Sequence, residues 1–128
     1  MPMVLPDDTL QVVHFEHRLW VNELDFFADE IRIYERQLEE LIRKSAEKDA
    51  MQELEQFQNQ FIRQKEVLDT LQHDIHIHEQ KLSEALKGDK ELPLDPVYHN
   101  FLKDQMVSFR SIYAELKEKF YRFLNKWK

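Results

Sequence analysis

Six histidines carry most of the chemical potential of this chain: His14, His17, His73, His76, His78 and His99. Imidazole titrates near neutrality and is a common ligand of divalent transition metals, so histidines brought together point to proton or metal chemistry. His17 and His78 fall on the apolar seams of two successive helices and are expected to face each other across the bundle. The commoner use of a polar layer in such a seam is to fix register at some cost in stability, and that is the role expected here. Met106 is expected to fill the third position of that layer, with His99 two layers away. A thioether is a poor third ligand for zinc, so neither a bound metal nor a cofactor is expected. The alternative is a metal- or pH-responsive binding protein that uses His17 and His78. His73 and His76 stand three residues apart on an outer helix face and are read as solvated.

Spacing excludes the familiar helical metal sites. Di-iron bundles of the ferritin type need Glu-x-x-His on two helices, but the residues three before the six histidines are Gln11, His14, Thr70, His73, Ile75 and Pro96. His99 with Asp104 matches one short piece of a hemerythrin-like pattern, whose earlier histidine pairs are absent. With one glycine in 128 residues there is no glycine-rich phosphate loop and no nucleophile elbow. Ser45, Ser83, Ser108 and Ser111 have no patterned base, and Glu39/Glu40 is ordinary for a solvated helix. The chain is expected not to be an enzyme. With no cysteine it has neither disulfides nor thiolate ligands.

The elements that position these histidines are legible from composition, punctuation and period. One glycine and four prolines are too few turn residues for a β domain, and 42% hydrophobic with 34% charged residues suits heptad-patterned helices. Asp8 with Gln11, and Asp49 with Gln52, have capping-box spacing. Gly88 is placed to end the second helix, and Asp95–Pro96 to start the third. Helices are therefore expected at about 8–45, 49–87 and 96–126, within a single domain covering 1–128. Their seams step by three and four residues: Leu10 to Leu41 in the first, Leu54 to Ala85 in the second, His99 to Trp127 in the third. The fold class is all-α, an elongated antiparallel three-helix bundle with coiled-coil-like heptad packing. Its expected layers include Trp20/Ile75/Phe109, Leu24/Leu71/Tyr113, Phe27/Leu68/Leu116, Tyr34/Phe61/Phe123 and Leu38/Phe57/Trp127.

Charge and surface pattern bear on partners. The net charge is −7, yet residues 96–128 carry seven basic and three acidic groups, so a basic third helix is expected to lie between two acidic ones. A nucleic-acid binder needs a basic face on the whole domain, which this chain lacks. No apolar run reaches the roughly 20 residues of a membrane span, and the segment MPMVLPDDT is not read as a secretory leader. The expected location is cytoplasmic. The first helix is more apolar than a bundle needs: Val12, Leu19, Phe26 and Ile33 recur every seven residues outside the seam, with Phe15 beside them. Such a second stripe is either absorbed by departures of the bundle from ideal packing or is a second packing face, filled by a symmetric homodimer or by another protein's helix. The acidic row Glu16, Glu23, Glu30 beside it is expected to meet Arg18 and Arg32 of that partner. The function expected is that of a non-enzymatic interaction or scaffold domain acting through its surface and self-associating.

Overall fold

A computed structural model describes residues 7–44, 48–87 and 96–126. They form three helices, α1 (Asp7–Lys44), α2 (Lys48–Leu86) and α3 (Pro96–Lys126), with no strand among the described residues. The protein is thus an all-α three-helix bundle whose α1 is about 57 Å long at 1.5 Å per residue. Asp8 and Asp49 each fall one residue inside their helices and not ahead of them. An acidic residue is also favourable within the first helical turn, so the signal marks a helix start only to within about a residue. Ser45, Gly88, Asp95 and Trp127 lie outside the described residues. No described helix is long and apolar enough to cross a membrane.

The expected seams are the core. Leu24, Ile31 and Leu38 of α1, Phe61, Leu68 and Ile75 of α2, and Leu102, Met106 and Phe120 of α3 have no accessible surface. Phe27, Leu41 and Phe57 pack against them while remaining partly exposed. A smaller cluster of Leu10, Val13 and Leu82 closes one end, and the histidine layer separates it from the main core.

The pairing of α1 with α2 follows the expected antiparallel register: Tyr34 meets Phe61 at 5.3 Å and His17 meets His78 at 4.9 Å between ring centroids. The position of α3 does not. Phe27 meets Phe109 and Tyr113 where Leu116 was expected, and Phe61 meets Phe120 where Phe123 was expected. The partners in α3 lie three to seven residues nearer its start than the seam pattern implied. Charge accounts for the difference. In the observed register Glu16, Glu23 and Glu30 of α1 reach Lys103, Arg110 and Lys117 of α3 at 3.7, 2.8 and 3.1 Å. Tyr113 also donates its hydroxyl to Glu30 at 2.9 Å. In the expected register Gln105 and Ile112 would have stood opposite Glu16 and Glu23, which wins no ion pair. This also corrects the expectation that the glutamate row meets a partner's Arg18 and Arg32, because α3 of the same chain already occupies it.

Arg110 forms a two-pronged contact, its Nε at 2.9 Å from both oxygens of Glu23. Both side chains are partly solvated, so the pair contributes under about 1 kcal/mol. Arg110→Glu is expected to destabilise by about 1 kcal/mol, and Glu23→Lys in the same chain to restore most of the loss. A double-mutant cycle by urea denaturation measures this coupling, and additive losses would remove the pair as a register determinant.

Candidate functional site

The heptad steps of all three helices bring three histidines, not two, into one layer. His17, His78 and His99 are all buried, at 1, 3 and 7% exposure. Their ring centroids lie 4.9 Å (His17–His78), 5.3 Å (His17–His99) and 5.7 Å (His78–His99) apart. One ring nitrogen from each lies within 4.8 Å of the others. His99, expected two layers away, therefore completes the layer in place of Met106, which stands seven residues further along α3, roughly 10 Å at helical rise. The shift of α3 that pairs the charge rows is what delivers it. Trp20 stacks on the His99 ring at 5.1 Å with an interplanar angle of 20°.

Two carboxylates at the rim fix the rings. His17 Nδ1 faces Glu79 Oε2 at 3.1 Å, and His99 Nε2 faces Glu16 Oε1 at 3.2 Å. An ionised carboxylate only accepts, so the ring nitrogen beside it carries the proton and the opposite nitrogen keeps its lone pair. Those opposite atoms, His17 Nε2 and His99 Nδ1, are buried with no hydrogen-bond partner among the described residues, and so is His78 Nε2. Glu79 also accepts from half-exposed His14. Burial pushes the His78 ring down to about 4, with His17, His99 and Lys81 adding to the fall and Glu79 opposing it. Burial lowers His17 as well, against the hydrogen bond and charge of Glu79. Burial thus favours the neutral ring at His17 and His78, and each of the three rings keeps one buried nitrogen without a partner among the described residues. A surface groove of about 200 Å³, whose lining includes His14, His17, Val21, Ile75, His76 and Glu79, leads to it. His73 and His76 are both exposed, and His76 lines the groove beside His14 and Glu79.

The second candidate surface lies on the outer face of α1. Val12, Phe15, Leu19, Phe26 and Ile33 are exposed at 57, 61, 51, 59 and 60%. The bundle does not absorb this stripe. On α3, Tyr98, Phe101, Ile112 and Tyr121 are also exposed, without a constant spacing, whereas Leu124 packs against the core and Tyr121 reaches the Tyr34 hydroxyl at 3.0 Å.

Fold and geometry define a class, a three-helix bundle with a buried trihistidine layer and one unpartnered apolar helix face. Comparison with family models, with curated proteins and with solved structures finds no match.

Proposed function

We propose that the protein is a non-enzymatic helical interaction domain that pairs with a second copy of itself through the outer face of α1. The observation that carries this reading is the stripe: five large apolar side chains, four of them seven residues apart, each at least half exposed on one helix. A twofold antiparallel crossing near Leu19–Phe26 sets Leu19 against Phe26 and Val12 against Ile33, so one surface serves both copies. The same crossing turns the glutamate row of each copy toward that of the other. Lys103, Arg110 and Lys117 neutralise the row within each chain, which removes the like-charge repulsion that would otherwise oppose a second copy. Apolar burial supplies the drive, at about 25 cal/mol per Å² before the cost of association.

Phe26 is 59% exposed and touches the ring of Phe27 only edge-on at 6.0 Å, so Phe26→Glu is expected to separate the copies without unfolding the bundle. Sedimentation of wild type and variant, with far-ultraviolet circular dichroism of each, tests this. A dimeric wild type and a monomeric, fully helical variant are expected at concentrations of roughly 10 µM, ordinary for a modest interface. A monomeric wild type, or a variant that remains dimeric, overturns the pairing.

A further inference from the structure

We infer that His17, His78 and His99 form a binding site for one divalent first-row transition ion, with zinc the best fit. The site draws one ligand nitrogen from each helix, all within 4.8 Å of one another, and each ring has one buried nitrogen without a partner among the described residues, free to serve. Around a tetrahedral zinc at 2.0–2.1 Å, ligand nitrogens stand about 3.4 Å apart. The present separations are all within 4.8 Å, so the nitrogens need to draw together by at most about 1.4 Å.

The surroundings are those that a histidine-bound metal requires. Glu79 and Glu16 hold the outer nitrogens of His17 and His99, which orients each ring, fixes its tautomer and raises its basicity toward a cation. Nothing in a purely structural polar layer calls for three buried ring nitrogens to stand without partners, because a layer that only sets register is satisfied by hydrogen bonds among its own members. Three nitrogen donors and no thiolate favour zinc, copper(II), nickel or cobalt over calcium and magnesium, which take oxygen ligands. The groove beside His14 and Glu79 gives the ion and a water a way in. Because the ligands come from α1, α2 and α3, the ion ties all three helices at the end where the core is smallest.

The test uses the untagged full chain, stripped with chelator and titrated with Co²⁺, then with Zn²⁺. One equivalent of cobalt is expected to give the intense visible bands of a tetrahedral nitrogen site. One equivalent of zinc should displace it and raise the melting temperature. His99→Leu should weaken zinc by more than the roughly 10–100-fold that loss of an outer carboxylate causes, and Glu79→Gln by about that range. His73→Ala, at an exposed position outside the groove, should leave affinity unchanged. Should His99→Leu lose its helical circular dichroism, His78→Gln and Glu79→Gln decide in its place. Absence of stoichiometric cobalt bands, undiminished zinc affinity in the layer variants, or loss of binding in the His73 variant overturns the site.

Discussion

Acidifying the metal-free protein from pH 7 to pH 4 is expected to remove about 3 kcal/mol of stability through His78 alone. In the bundle this ring protonates only near pH 4, whereas in the unfolded chain it does so near 6.5. Below pH 6.5 the unfolded state therefore binds the proton that the folded state refuses, and stability falls with pH until the folded value is reached. Above pH 6.5 both states are neutral and the contribution is complete. His17 acts in the same direction, its burial outweighing the pull of Glu79. The groups around the pair are His14 and Glu16 of α1, Glu79 and Lys81 of α2, and His99 of α3, and the carboxylates among them oppose the loss without cancelling it. The double change His17→Leu with His78→Leu replaces both rings by seam residues of similar size. It is expected to raise stability at pH 5 and to flatten its dependence between pH 6.5 and 4. Urea denaturation of both proteins across that range is the measurement. Equal acid sensitivity in wild type and variant would show that the layer is solvated and not a buried neutral cluster.

Phe120→Ala is expected to cost about 3–5 kcal/mol, a large part of the 5–15 kcal/mol typical of a domain. Phe120 has no accessible surface, and its ring meets Tyr34 of α1 at 5.7 Å and Phe57 and Phe61 of α2 at 5.3 and 5.4 Å. Truncation therefore removes one ring from a contact among all three helices and leaves a cavity that rigid helices cannot close. Val107→Ala on the same helix, at 56% exposure, should change stability by less than about 0.5 kcal/mol. Chemical denaturation of the two variants checks the contrast. A cost below about 1.5 kcal/mol for Phe120→Ala would mean that the position can collapse, or that α3 sits in another register.

The seam residues, the helix limits and the exposed stripe of α1 were legible in the sequence, because heptad spacing sorts side chains by face without reference to any neighbour. The position of α3 along its partners was not, and the reason is the same periodicity. Sliding a helix by one seam step of three or four residues again sets seam residue against seam residue, so Phe120 fills the place expected of Phe123 at little change in apolar burial. Weak interactions then decide between nearly equal packings. The deciding signal was present, since Glu16, Glu23 and Glu30 repeat at the spacing of Lys103, Arg110 and Lys117. Aligning those two rows before the apolar seams would have placed α3, and with it would have moved His99 from an isolated seam histidine to the third member of the layer. The convergence of the ring nitrogens lay beyond any sequence pattern, because it depends on which edge of each imidazole Glu79 and Glu16 hold.

The stacking of Trp20 on His99 has an optical consequence. Indole emission is quenched by electron transfer to a nearby imidazolium and spared by a neutral ring, and it responds again when a metal occupies the ring's lone pair. Trp20 is 5% exposed, so solvent contributes little to its signal. With Trp127 changed to Phe, Trp20 is the sole tryptophan of the chain, and its fluorescence intensity becomes a built-in gauge of the charge state and occupancy of the histidine layer.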